Sequence, residues 1–272
     1  MLSHQRHLPR PPLSKFIDNL WLVRGALATP WRNMIFPDGA MEMIFNLGDP
    51  QKLCDSRNPR RHTFFKRSWI SGEREASIVI EETGVIHLVG VRFKPGGAFP
   101  FFRIPISELT DRVVELDAIW GNEIDRLRDQ LAGGLTPATV FARLENWLLQ
   151  RLAIHTQPSR SVAFALDRIQ RGGDDARIGR IVELTGISHK HLVREFGRCV
   201  GLSPKTLARV CAFQSAINWI GFKPAVDWAD AAAACGYFDQ AHFIHEFRSF
   251  TGMTPSTYLT KRGPYLNYVT TE

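Results

Sequence analysis

The stretch Gly236-Tyr-Phe-Asp-Gln-Ala-His-Phe-Ile-His-Glu-Phe-Arg-Ser-Phe-Thr-Gly-Met-Thr-Pro255 has a second, weaker copy 51 residues upstream. Leu192, Glu195, Phe196, Gly201 and Pro204 correspond to Phe243, Glu246, Phe247, Gly252 and Pro255. Each copy begins with a short helix of small or aliphatic residues, predicted over Ile181–Leu184 in one and Trp228–Ala234 in the other. A glycine follows (Gly186 or Gly236), then a cap residue (Ser188 or Asp239), then a second helix. Glycine takes positive φ and lets two helices meet at a steep angle. Ser188 and Asp239 can accept the orphan N–H groups that open the second helix. Leu192 with Phe196, and Phe243 with Phe247, are i, i+4 pairs that share a core-facing side.

The residues between those pairs are predicted to face solvent. They are His189, Lys190, His191 and Arg194 in the first copy and Gln240, His242, His245 and Arg248 in the second. Such side chains bond base edges or phosphates. The plan is a helix-turn-helix, whose second helix enters the major groove. Between the copies, Pro204–Ile220 reads as one helix of about 25 Å. A strut of that length suits two recognition helices roughly one duplex turn, about 34 Å, apart. Lys205, Thr206 and Arg248 are candidate phosphate anchors. Trp219, Trp228, Phe213 and Phe222 read as core. His242 and His245 stand at i, i+3 but have no third ligand in view, so no metal and no cofactor is expected.

The quoted stretch resembles the second-unit signature of the AraC/XylS family of bacterial transcription regulators, and Ser188–Pro204 is similar to its first unit. The resemblance covers about Ser161 to Lys261. It implies a double helix-turn-helix domain that binds double-stranded promoter or operator DNA and works with RNA polymerase. The family's base-reading positions fall on Lys190, Val193 and Arg194 in the first unit and on Gln240, Ala241 and His245 in the second; His189, His191 and His242 are left to secondary contacts. Two positions depart from the family's pattern: residue 245 is often Arg there, and residue 182, here Val, is often Ala. The N-terminal half is also familiar. Phe36-Pro-Asp-Gly-Ala-Met-Glu-Met-Ile-Phe-Asn-Leu-Gly48 and Gly90-Val-Arg-Phe-Lys-Pro-Gly-Gly97 resemble a sensor-like domain that precedes some AraC-type DNA-binding domains.

Residues 1–105 read as β-rich. Runs of branched, aromatic and large apolar residues at Ile17–Val23, Met34–Phe36, Met41–Phe45, Ser77–Ile80 and Val85–Phe93 are separated by turn signals such as Pro37-Asp38-Gly39. The expectation is a small barrel or sandwich of cupin type, with the polar, basic stretch Gln51–Lys66 as a long loop. Glu42, His87 and Arg92, with Glu73, are candidates to line its interior around a small-molecule effector; strand residues facing water are the plainer reading of all four. Helical periodicity begins after Ile106. One helix is predicted over Glu115–Leu131, ended by Gly133-Gly134, and a second opens at Thr136-Pro137. Its apolar stripe, with Trp147, Leu148 and Leu152, needs a partner, and the expectation is packing on the barrel with part of the surface in a homodimer. His155–Arg160 is the candidate linker. The fold class is therefore α+β: residues 1–155 form a β-rich sensor or dimerisation domain with helices, and residues 156–272 an all-α DNA-binding domain.

Bulk properties agree without locating the site. The chain has 272 residues, 44% of them hydrophobic, a net charge of +7 and a pI near 9.5. That favours an anionic partner and speaks to association rather than fold. Cys54, Cys199, Cys211 and Cys235 form no C-x-x-C pair and read as reduced thiols of a cytoplasmic protein, here on the bacterial nucleoid. No apolar run approaches the 18 or so residues a membrane span needs. Enzyme classes fit poorly. His62, His87 and Glu42 are a weak match to an oxygenase's two histidines and carboxylate, and Cys54 sits in no setting expected of a DNA-repair acceptor cysteine. A purely DNA-bending protein leaves the N-terminal half without a task.

Overall fold

The protein is described by a computed structural model that covers residues 2–54, 61–153, 157–221 and 223–271. Phe222, expected in the core, and His155, where the expected linker begins, lie outside these residues. Among the described residues nine strands form one antiparallel sheet: β1 (Ser3–His7), β2 (Ile17–Ile35), β3 (Glu42–Asn46), β4 (Gln51–Cys54), β5 (His62–Phe65), β6 (Ser68–Ser71), β7 (Ile78–Phe93), β8 (Val113–Glu115) and β9 (Tyr268–Thr270). The α-helices among the described residues are α1 (Asp117–Trp120), α2 (Glu123–Ala132), α3 (Pro137–Arg151), α4 (Arg160–Arg171), α5 (Ile178–Thr185), α6 (His189–Cys199), α7 (Pro204–Ile220), α8 (Trp228–Ala234), α9 (Gln240–Thr251) and α10 (Pro255–Lys261). The α+β class thus stands.

The sheet is built on two long, bent strands, β2 and β7, paired along most of their length. Their register breaks between Leu27 and Trp31, opposite Gly84, which takes φ +70. A break of this kind re-aims a strand. One half of β7 pairs with β3, the other with β4, and the main path runs β1-β2-β7-β3-β6-β8. Among the described residues no ladder joins β1 to β8, so the sheet is not closed and the expected barrel is corrected to an open, bent sheet. Helices cover one of its faces, where Leu20, Met43 and Val91 share a cluster with Leu144 and Leu166.

Two local expectations are also corrected. The stretch Gln51–Lys66 holds a ribbon rather than only a loop: β4 pairs with β5 and with β7. The single helix over Glu115–Leu131 is interrupted, because Gly121 takes φ +61 and ends α1 before α2 starts. The apolar stripe of α3 is already covered. Trp147 and Leu148 are buried and Leu152 is half-buried, with Trp120 edge-on to Trp147 and the Arg151 guanidinium 4.3 Å from the Trp147 ring. These side chains pack within the chain, as expected, in the cluster that joins α3 to the sheet.

The apolar core does not stop at residue 155. Leu20, Met43, Phe45 and Val91 of the sheet belong to one cluster with Leu144 of α3, Leu166 of α4, Leu192 and Phe196 of α6 and Leu207 of α7. At its seam Thr110 Oγ1 donates to the carbonyl of Gly201 at 2.9 Å. Glu73 is enclosed beside it. Burial pushes the Glu73 carboxyl well above the usual carboxylate range, against the opposing pull of the Gly96 and Leu202 amides. A raised folded-state pKa means the folded protein binds more protons than the unfolded chain above about pH 4.5, so this group's contribution to stability grows as pH falls. Lowering pH from 8 to 5.5 is expected to raise the melting temperature of wild type more than that of Glu73→Gln, and the variant is expected to be at least as stable at pH 8. Parallel profiles for the two proteins in a thermal-unfolding series would show that Glu73 ionises freely.

A second cluster is centred on Phe213, Phe243, Phe247, Phe250 and Tyr258 of α7, α9 and α10. It also includes Phe36, from the segment after β2, and Val269 of β9. The chain returns after α10 to lay β9 along β2, with Ile35 opposite Tyr268 and Asn33 opposite Thr270. Asn267 accepts and donates across this seam: its carbonyl takes the Phe36 N–H at 3.2 Å, and its Nδ2 donates to the Phe36 carbonyl at 2.9 Å. Gln214 of α7 donates from Nε2 to the Pro37 carbonyl and to Asn267 Oδ1, each at 2.7 Å.

Candidate DNA-binding interface

Each helix-turn-helix unit is assembled by the residues the repeat singles out. In the first, Gly186 ends α5 in the left-handed region, with φ 67 and ψ 10. Ser188 caps α6 by accepting the His191 N–H at 3.2 Å. In the second, Asp227 caps α8, Gly236 turns at φ 78, and Asp239 caps α9 by accepting the His242 N–H at 2.7 Å. Leu192, Phe196, Phe243 and Phe247 are fully buried. That burial fixes which faces of α6 and α9 remain outward.

The outward face of α6 carries His189, Lys190, His191, Val193 and Arg194, all exposed. Arg194 leaves 70% of its side chain in solvent; its Nη2 lies 3.0 Å from His191 Nδ1 and its Nε 3.7 Å from Glu195. Glu195 is held by Arg198 at 2.8 Å, and that ion pair keeps its carboxyl below the usual range. Arg194 is thus the guanidinium of this helix with the freer donors. On α9, Gln240, Ala241, His242, His245 and Arg248 are exposed. His242 is partly engaged: its Nδ1 accepts the Phe238 N–H at 3.4 Å, and its ring stands edge-on to Tyr237.

The two units are braced by α7. Ser203 caps it and Pro204 starts it. Lys205 is exposed at its first turn, while the Thr206 hydroxyl is half-buried and 2.9 Å from Ser203 Oγ. From the middle of α7, Arg209 reaches Glu246 on α9 through a two-point contact, Nε to Oε2 at 2.7 Å and Nη2 to Oε1 at 3.2 Å. This fork sets the roll of α9 against α7. Sequence reading named Glu246 as a repeat position and missed its partner, because nothing in the local pattern of α7 separates Arg209 from a solvated arginine.

The effector candidates divide. Glu42 and Arg92 are cross-strand partners on β3 and β7 and line one cleft with Asp38, Trp69, Arg74 and Tyr268. Arg92 bonds Asp38 at 2.6 Å and Glu42 at 2.9 Å. Burial works against the Arg92 charge, but Asp38 and Glu42 outweigh it and hold it protonated; burial raises the Glu42 carboxyl despite Arg92. His87 is not brought to this cleft. It stands an odd number of residues from Arg92 on β7, hence on the opposite face, where it accepts from Arg24 at 2.8 Å; burial, then Arg24, lower its pKa. Glu73 is enclosed at the seam described above. Among the described residues no group of three or more His, Cys, Asp or Glu could hold a metal ion, and no helix is long and apolar enough to cross a membrane.

Residues 181–261 match the model of a helix-turn-helix domain, and residues 5–115 match a domain of unknown function, DUF6597. No relative was found among curated proteins. Among solved structures, ToxT from Vibrio cholerae is similar at 11% identity and TM-score 0.46, covering 95% of this chain and 98% of that one. The C-terminal domain of AraT, a response regulator from Geobacillus stearothermophilus, is similar at 22% identity and TM-score 0.36, covering 40% and 92%. An AraC-type transcriptional regulator from Chromobacterium violaceum gives 18% and 0.34, covering 38% and 93%. The matched helix-turn-helix model and the duplicated turn, cap and core positions define a DNA-binding transcription regulator. Residues 181–261 carry a helix-turn-helix domain of the AraC type.

Proposed function

We propose that the protein reads a bipartite DNA site with α6 and α9 in two successive major grooves. In this reading Lys190 and Arg194 of the first unit and Gln240, Ala241 and His245 of the second face base edges. His189, His191, Lys205, Thr206, His242 and Arg248 hold the backbone or make secondary contacts. The observation that carries it is the pairing of faces: on both helices the i, i+4 apolar residues are fully buried, and the donors that suit DNA are on the outward side. Residues 156–272 supply this DNA-binding part. The remainder is a sensor whose cleft beside Glu42 and Arg92 takes a small-molecule effector. Resemblance to the family adds RNA polymerase as a partner, a homodimer as the working form and the bacterial cytoplasm as the place. A regulator of this kind needs no catalytic chemistry of its own.

The test uses the full chain and a duplex selected from random sequence. Arg194→Ala and Gln240→Ala are each expected to cost about 1–3 kcal/mol on the selected site while sparing non-specific binding, and to relax one position of the preferred sequence. Lys205→Ala is expected to weaken all sequences alike and to make the salt dependence shallower, since a lost phosphate contact releases fewer counterions. An unchanged preferred sequence for both Arg194→Ala and Gln240→Ala would remove them from the base-reading set.

A further inference from the structure

The two turns are not the same length. Gly186 is separated from its cap Ser188 by one residue, Ile187, whereas Gly236 is separated from Asp239 by two, Tyr237 and Phe238. In many helices the residue before the cap packs on the fourth helical residue and fixes the entry angle. Ile187 stands in that place before α6 and is packed against the core. In the second unit Tyr237 takes over the packing: it is buried, and its ring centroid lies 5.3 Å from that of Phe243, the fourth residue of α9. The additional residue, Phe238, is extruded. It is 90% exposed, the highest value for a large hydrophobic residue among those described. Its backbone is tied down nonetheless, because its N–H donates to His242 Nδ1 at 3.4 Å. An aromatic ring is therefore held out at the mouth of α9, directly before Asp239 and the exposed Gln240 and Ala241.

We propose that Phe238 is a specificity-determining residue that packs on a thymine methyl group in the major groove, beside the bases read by the first turn of α9. The proposal rests on the DNA-contact reading above. Among base edges in the major groove, the thymine C5-methyl is the apolar feature an aromatic ring can match. A ring that merely covered deoxyribose or met a protein partner would not distinguish thymine from uracil.

That difference supplies the experiment. On the selected duplex, each thymine in the half-site of the second unit is replaced in turn by deoxyuridine, which pairs identically and lacks only the methyl. Wild-type affinity is expected to fall about 3–5-fold at one or two of these positions, the worth of one buried methyl-sized group. Phe238→Ala is expected to bind the thymine duplex as weakly as wild type binds the uracil one, to show no thymine–uracil difference, and to melt at an unchanged temperature. Phe238→Leu should keep part of the discrimination. Wild type that binds tightly but ignores every methyl overturns the proposal and leaves the DNA reading intact. Equal weakening of Phe238→Ala on all sequences means a sugar or backbone contact and overturns it too. Unchanged DNA binding with lost promoter activation assigns Phe238 to a protein partner, and again overturns it. Failure of wild type to select any duplex removes the DNA reading, and this proposal with it.

Discussion

Phe36→Ala is expected to destabilise the helix-turn-helix part of the molecule although Phe36 lies on the sheet side of the chain. The ring is almost fully buried. It stands edge-on to Phe213 at 5.9 Å and to Tyr258 at 6.0 Å, within the cluster that also holds Phe243 and Phe247. Truncating such a ring removes its burial and leaves a cavity, for about 3–5 kcal/mol. The Phe36 N–H and carbonyl would still meet Asn267, so the backbone seam gives the site a frame that resists collapse and keeps the cost toward the upper end. Denaturant unfolding should show this loss, and hydrogen exchange should place it in α7, α9 and α10 as well as in β2. Phe64→Ala is the control: Phe64 is half-exposed on β5, and a surface change of that kind usually stays within about 0.5 kcal/mol. A loss below about 1 kcal/mol for Phe36→Ala would mean that the second unit holds its core without help from the sheet.

Arg92→Met is expected to be comparably severe by a different route. One guanidinium satisfies Asp38 at 2.6 Å and Glu42 at 2.9 Å, with Asp18 at 3.9 Å. Removing it leaves carboxylates facing one another in a partly buried site, and breaking a buried pair from one side costs about 3–5 kcal/mol. The deficit has a pH signature. Burial already pushes the Glu42 carboxyl up with Arg92 present, and Asp38 adds to the rise. Without the guanidinium the carboxyls bind protons more readily in the folded state than in the unfolded chain, so the deficit should shrink as pH falls from 8 toward 5. Adding Asp38→Asn and Glu42→Gln to Arg92→Met should recover most of the loss at pH 8. A deficit that is flat with pH, or that the added substitutions deepen, would show that Arg92 acts through packing rather than charge.

The helical half was legible because its signals are local. Ser188, Asp239 and Thr136 cap the helices they were expected to cap, and α8 spans Trp228–Ala234 as read. Each is a short-range matter of side-chain oxygen and backbone N–H, or of small residues in series. What was illegible depends on partners distant in sequence. β4 and β5 are four residues each and open on polar pairs, Gln51-Lys52 and His62-Thr63, within a basic stretch, so the segment reads as loop. β9 is three residues long and pairs with a strand more than 230 positions earlier. The candidate site split along the same line. Exposure of Arg194 and Gln240 follows from helical period and the buried i, i+4 pairs. The separation of His87 from Arg92 was within reach, since residues five apart in the run Val85–Phe93 fall on opposite faces of a strand, but the pairing of Glu42 with Arg92 needed the register of β3 against β7.

The pairing of β9 with β2 bears on how the protein is made. A ribosome releases residues 33–35 long before residues 268–270, and synthesis at roughly 5–20 residues per second puts more than ten seconds between them. During that interval the outer edge of β2 near Met34 has bare amides and carbonyls, and Phe36 has no aromatic slot to enter. An unpaired strand edge beside an exposed ring is a template for joining another chain. The nascent sheet therefore waits, unfinished, for a strand that emerges only after both helix-turn-helix units, and its safest period begins when Val269 is in place.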